Sequence, residues 1–229
     1  MKIFVFSDIH GNSYVLEELK RAWEALKPDL KIFLGDIYGY YYGQEEILDF
    51  FQSNDVICLL GNHDSMALSL LDKDLNLEEI ANKYGKSYEH ILKTSGDHTS
   101  WLRSISSSLR MNLGSYDCLF VHGDHNDNLD GRIYPDTPLV SNSQDWDVLF
   151  CGHTHIPFIK KSDDKLIVNV GSIGQPRHGG LANAVLFNPN TGALEFLNFN
   201  WHPERVRKDL ESRGDSYLAH TKILDRKIF

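Results

Sequence analysis

Carboxylates, imidazoles and one amide gather in five short segments of this chain. They are Asp8 and His10 in "SDIHGN", Asp36 in "LGDIY", Asn62, His63 and Asp64 in "GNHD", His122 in "VHGD", and His153 and His155 in "CGHTH". Every segment also carries a glycine, which leaves room for a ligand to approach. Side chains of this kind are costly to bury unless they are paired or bound to a metal. Oxygen and nitrogen donors without cysteine suit Mn, Fe, Zn, Co or Ni, whereas a histidine-rich set suits Mg or Ca poorly. Seven or eight donors exceed what one ion takes, and two ions sharing a bridging carboxylate would use them. Two metals about 3.5–4 Å apart form the arrangement that clamps the attacking and leaving oxygens of a phosphoryl displacement.

What brings five segments together is their place in the chain. Each follows a short apolar run: "KIFVF" (2–6), "KIFLG" (31–35), "DVICLLG" (55–61), "DCLFVHG" (117–123) and "DVLFCGH" (147–153). A sixth run, "KLIVNVG" (165–171), follows. Such runs read as buried strands. Between the first two, Val15, Leu16, Leu19, Trp23 and Leu26 recur at helical spacing until Pro28; between the second and third, "QEEILDFFQS" is also helical. Strand and helix in alternation predict a parallel sheet, and ligands bind beyond the carboxyl ends of such strands. Asp8 and His10 flank Ile9, so both can face that crevice while Ile9 packs away.

The middle and end of the chain read differently. Residues 64–110 predict helices, with "NLEEIANKYG" ending at a glycine and "DHTSWLRSISSSL" opening on Asp97 as a cap. "NAVLFNPNTGALEFLNF" predicts a hairpin. "HPERVRKDLESRG" predicts a last helix between Pro203 and Gly214, and residues 215–229 a loosely held tail.

Composition excludes several classes. The 229 residues are 41% hydrophobic and 24% charged, enough for a sizeable core. No apolar run approaches the roughly 20 residues of a membrane helix, and no secretory signal pattern is evident. A net charge of −9 without a basic cluster excludes extended DNA or RNA as a partner and leaves a small anionic substrate. Cys58, Cys118 and Cys151 each sit in an apolar run, which argues against a disulfide framework and for a reducing cytoplasm.

In order and spacing, over residues 1–200, Asp8-x-His10, Gly35-Asp36, Gly61-Asn62-His63-Asp64, His122-Gly123 and Gly152-His153-Thr154-His155 resemble the calcineurin-like metallophosphoesterase family. The subgroup resembled is that of small bacterial and archaeal phosphodiesterases, which share "NVGSIGQPR" and a tryptophan-bearing helix before the fourth strand, here Trp101. The resemblance implies an α/β four-layer sandwich of two mixed β-sheets flanked by helices, with residues 1–200 as the catalytic domain and 201–229 as a C-terminal helix and tail. It implies two divalent transition-metal ions, manganese first among Mn, Fe, Zn, Co and Ni. One would be held by Asp8, His10, Asp36 and His155, the other by Asp36, Asn62, His122 and His153. It further implies in-line attack by a hydroxide held between the ions, with His63 beside the leaving oxygen and oriented by Asp64. "GDIYGYYYGQ" and "HGDHNDNLDGRIYPD" depart from the family pattern, and both bear on the substrate.

Around this set, Tyr38, Tyr40, Tyr41 and Tyr42 either stack on a base or aryl group or pack the loop after Asp36. Arg177 and His178 in "GQPRHGG" either contact a phosphate oxygen or form a solvated turn. His90, His98, His125, His202 and His220 read as structural or exposed. The expected activity is a phosphodiesterase acting on a small phosphoester or nucleotide. The alternatives are a dinucleoside polyphosphate hydrolase, a protein phosphatase, which the absence of a second arginine motif after Gly-Asn-His disfavours, and a non-catalytic scaffold, which the complete donor set disfavours.

Overall fold

The first strand, β1 (Ile3–Phe6), is buried on both sides, and its alternation divides the interior in two. Ile3 and Val5 face one apolar cluster, Phe4 and Phe6 the other. The computed structural model of the protein describes residues 1–94, 98–138, 145–162, 164–177, 180–215 and 218–225. After β1, one turn of 3-10 helix leads into α1 (Leu16–Leu26), β2 (Leu30–Phe33), α2 (Gln44–Ser53) and β3 (Ile57–Cys58). Helix α1 buries Leu16, Leu19 and Trp23 and ends where Lys27 turns left-handed before Pro28. Phe6 meets Trp23, Phe33 and Phe51 at ring distances of 5.9, 5.0 and 5.5 Å, which fastens both helices to this face.

Four helices follow: α3 (Asn62–Leu71), α4 (Leu77–Tyr84), α5 (Ser87–Thr94) and α6 (Thr99–Ser104). Asn76 caps α4 by accepting from the N–H groups of Glu78 and Glu79. Helix α6 starts at His98 without a side-chain cap, and Asp97 lies outside the described residues. The helical reading ran too far, because β4 begins at Ser108 (Ser108–Leu113). Then come β5 (Tyr116–Val121), β6 (Val148–Cys151), β7 (Phe158–Ser162), β8 (Lys165–Asn169), the hairpin β9 (Ala182–Asn188) and β10 (Ala193–Phe199), and helices α7 (Pro203–Ser212) and α8 (Leu218–Leu224).

The strands form two mixed five-stranded sheets flanked by helices, ordered β10-β9-β1-β2-β3 and β4-β5-β6-β8-β7. β1, β2 and β3 run parallel, as do β5, β6 and β8. Ile3, Val5, Ile32 and Leu34 of one sheet meet Cys118, Phe120, Val148 and Phe150 of the other, so the sheets pack face to face. The expected loose tail after residue 215 contains α8, with His220 and Ile223 buried, and α7 buries Val206 and Leu210 in the cluster that holds Phe6. No helix among the described residues is long and apolar enough to cross a membrane.

Candidate dinuclear metal centre

Five strands end at the same place, and each is followed by candidate ligands. Asp8 and His10 follow β1, Asp36 follows β2, Asn62 opens α3 after β3, His122 follows β5, and His153 and His155 follow β6. Asp8, His10, Asp36, His153 and His155 all take positive φ, from +50° to +68°. Residues with a Cβ seldom adopt that region, and such strain concentrates at functional sites. Loop-to-loop bonds hold it here. The Asp8 N–H donates to Gly35 O at 3.0 Å and the His10 N–H to Asp36 O at 2.9 Å. The His153 N–H donates to Asp8 Oδ2, also at 3.0 Å. Glycine makes the close approach possible: a Cβ at Gly61 would lie 2.2 Å from Asp36 Oδ1, and one at Gly152 would lie 2.5 Å from Asp8 Oδ2.

The donor atoms form two clusters that share one oxygen. In the first, His155 Nε2 is 3.1 Å from both His10 Nε2 and Asp8 Oδ1. In the second, His122 Nε2 is 3.1 Å from Asn62 Oδ1 and from His153 Nδ1, which are themselves 3.1 Å apart. Asp36 Oδ2 stands between them, 3.6 Å from His10 Nε2 and 3.3 Å from His122 Nε2. Its other oxygen, Oδ1, accepts the backbone N–H of His63 at 2.8 Å.

These donors fit cations. His10 Nδ1 donates to Tyr38 O at 3.0 Å and His155 Nδ1 to Gln175 O at 2.6 Å. In the neutral form each ring then presents a bare Nε2, and in that form two lone pairs face each other across 3.1 Å. Asp8 Oδ1 and His153 Nε2 have no hydrogen-bond partner among the described residues. Burial pulls His10 well below the imidazole range and His153 down to about 4. Burial opposes ionisation of Asp8 and Asp36, but neighbouring histidines, His155 and His122 foremost, hold both below the carboxylate range. Burial disfavours charge on His122 too, yet Asp36 and Asp8 overcome it and raise its pKa to about 9. Without a metal the cluster thus draws a proton inward; the two carboxylates ask for positive charge at their centre.

The remaining candidates divide. His63 lines a cleft of about 80 Å³ over the clusters. Its Nδ1 is 2.6 Å from the hydroxyl of Tyr88, and burial lowers its pKa to about 4. Asp64 does not orient it. The Asp64 carboxylate instead accepts the N–H groups of Asp36 (2.8 Å), Tyr38 (3.0 Å) and Gly61 (3.0 Å). The reason is helical geometry, since adjacent residues of α3 point different ways. Burial and Asp36 push Asp64 up to about 7 against the pull of those three donors. Tyr38 is not a cleft residue: its ring is in the core, and it serves His10 through its carbonyl. Arg177 lines the cleft, and His178 lies outside the described residues. Sequence reasoning missed Tyr84, Tyr88, Arg132 and Tyr134. Arg132 and Tyr134 stand in "GRIYPD", a segment marked as unusual; Tyr84 and Tyr88 carry no motif.

Fold and site together define a metal-binding phosphoester hydrolase. The chain belongs to the calcineurin-like phosphoesterase superfamily, whose domain model matches residues 1–192. An uncharacterized protein of Methanocaldococcus jannaschii is 26% identical over 250 residues, covering 98% of each chain. A hypothetical protein of Pyrococcus horikoshii shares the fold with a TM-score of 0.79 at 18% identity over 97% of each chain. A metallophosphoesterase of Sphaerobacter thermophilus does so with a TM-score of 0.76 at 23% identity over 98% of each.

Proposed function

We propose that the protein is a dinuclear-metal phosphodiesterase of the reducing cytoplasm, with manganese as the ion first expected. The observation that carries this reading is the pair of lone-pair clusters sharing Asp36 Oδ2. Asp8, His10, Asp36 and His155 would hold one ion, and Asp36, Asn62, His122 and His153 the other. Two such ions supply Lewis acidity and an activated water for in-line displacement at phosphorus. The chain's own groups do the rest. His10 and His155 are oriented by carbonyl oxygens, and His63 offers a ring N–H beside the leaving oxygen. Apart from the donor clusters, the cleft is lined by His63, whose charge burial disfavours, by Tyr40, Tyr84, Tyr134 and Thr154, and by Arg132 and Arg177. The preference for a diester is carried over from the resemblance of the motifs to those of small bacterial and archaeal phosphodiesterases.

The test is elemental analysis followed by turnover of bis(p-nitrophenyl) phosphate, p-nitrophenyl phosphate and an alkyl or nucleotide diester. Two ions per chain and preference for diesters are expected; one ion at saturation, or preference for the monoester, contradicts the proposal. His63→Ala should keep both ions and lower turnover of the alkyl diester by about 10²–10⁴-fold. The loss should be smaller for p-nitrophenolate, which departs without help. Loss of metal from this variant would make His63 a ligand.

A second reading, a dinucleoside polyphosphate hydrolase, is favoured by one observation at the rim. Arg21, Arg103, Arg110, Arg207 and Arg213 pair with carboxylates, and Arg205 lies over the Tyr14 ring. Among the described residues Arg132 and Arg177 have no ion-pair or ring partner of that kind, Arg132 acting only at longer range on the Asp127 carboxyl, and both line the cleft. Two such guanidiniums in an acidic chain suit further phosphates beyond the scissile one. On this reading Arg132→Ala with Arg177→Ala raises KM for diadenosine tetraphosphate about tenfold and leaves KM for bis(p-nitrophenyl) phosphate unchanged. An equal effect on both substrates would remove the support for it.

A further inference from the structure

We propose that Tyr88 is a positioning residue that fixes His63 in the tautomer with hydrogen on Nε2, so that the N–H rather than a lone pair enters the cleft. His63 and Tyr88 are 5% and 0% exposed, and the Tyr88 hydroxyl is 2.6 Å from His63 Nδ1. Among the described residues that hydroxyl has no other hydrogen-bond partner. Its proton therefore has one acceptor available, the Nδ1 lone pair. The reverse arrangement, Nδ1–H donating to the phenol oxygen, would bury the phenol proton with no acceptor, the costlier way to leave a polar group. With Nδ1 accepting, a neutral imidazole carries its hydrogen on Nε2.

Packing removes the remaining freedom. The His63 ring meets Tyr84 edge-on at 4.7 Å, Tyr40 at 5.2 Å and the Tyr88 ring at 6.2 Å, and its backbone N–H is tied to Asp36 Oδ1. Tyr84 ends α4 and Tyr88 lies in α5, so the helical segment after the "GNHD" motif holds the histidine of that motif. The same tautomer settles a competition. His10, Asp36 and His63 come close enough together to hold an ion as a trio, their donor atoms within 4.8 Å of one another. An Nε2 that bears hydrogen cannot ligate, and an Nδ1 that accepts from Tyr88 is occupied. Tyr88 thereby excludes His63 from the metal set and leaves it as a donor to an oxygen of the phosphoryl group or leaving group. The functional consequence rests on the phosphoesterase reading; the tautomer does not.

The experiment is a long-range ¹H–¹⁵N correlation of the histidine rings in zinc-loaded, substrate-free protein. His63 should show a protonated Nε2 and a hydrogen-bonded, bare Nδ1; a protonated Nδ1 in the unmodified protein overturns the proposal. Tyr88→Phe keeps the ring and removes the hydroxyl. It should retain two zinc ions, give a mixed or reversed His63 tautomer, and lower kcat for an alkyl diester by about 10²-fold with KM little changed. An unaltered tautomer with unaltered kcat in that variant also overturns it. Should the tautomer be as stated while the unmodified enzyme hydrolyses no phosphoester, the phosphoesterase reading fails and this inference stands.

Discussion

Asp36→Asn should leave a folded protein that has lost more than about 10³-fold in turnover, beyond the ~10²–10³ of a single electrostatic donor. No other single ligand change should cost as much. Asp36 Oδ2 faces His10 on one side and His122 on the other, so one substitution weakens both sites at once. Affinity for the ions should fall by more than the 10–100-fold typical of groups outside the coordination sphere. Stability of the metal-free protein should fall as well. Asp36 and Asp8 hold His122 protonated against the cost of burial, with its pKa raised to about 9, and the amide removes a charge that pairs with that imidazolium at 3.3 Å. Metal-free Asp36→Asn should therefore melt below the metal-free parent at neutral pH. Elemental analysis, turnover and a thermal scan check the three statements together. Near-normal turnover in Asp36→Asn, with turnover abolished in Asp8→Asn, would show that the shared ligand lies elsewhere.

Asp64→Ala should act on stability before it acts on chemistry. It would orphan three buried donors, the N–H groups of Asp36, Tyr38 and Gly61. Each orphan costs about 1–3 kcal/mol. The sum, roughly 3–9 kcal/mol, is a large part of the ~5–15 kcal/mol that holds a domain folded. The expected result is a large drop in the urea midpoint and loss of both ions. Asp64→Asn keeps one acceptor oxygen and turns an NH₂ group toward the other N–H, so its midpoint should fall in between. A normal midpoint, with losses confined to esters of poor leaving groups, would restore Asp64 to the role of orienting His63.

How the sequence signalled this site follows from where its residues stand. Asp36, Asn62, His122 and His153 were legible because each ends an apolar run and has a glycine beside it; Asp8 follows such a run, with Gly11 three residues on. The first two runs are continuous strands buried deeply enough to be read without alternation. β4 was missed because "SLRMNL" is a partly exposed edge strand interrupted by Arg110 and Asn112, and β7 because "FIKKS" carries two lysines. The roles of Asp64 and Tyr88 were not legible for a different reason. Adjacency in sequence suggested that Asp64 serves His63, yet in a helix neighbours in sequence are not neighbours in space. The residue that does meet the His63 imidazole lies 25 positions away, on a helix whose own pattern speaks only of packing.

The order of the strands has a consequence for how the enzyme is made. β1, which delivers Asp8 and His10, is an interior strand, and one of its two partners is β9, with Ile3 opposite Phe187. The ring nitrogens of His10 and His155 that face each other belong to residues 145 positions apart. Contacts of such separation form late and slowly. A chain emerging from the ribosome therefore exposes "SDIHGN" and "GNHD" long before the partners that complete either cluster have been synthesised. The ions proposed above would accordingly be bound only once the second sheet has docked on the first.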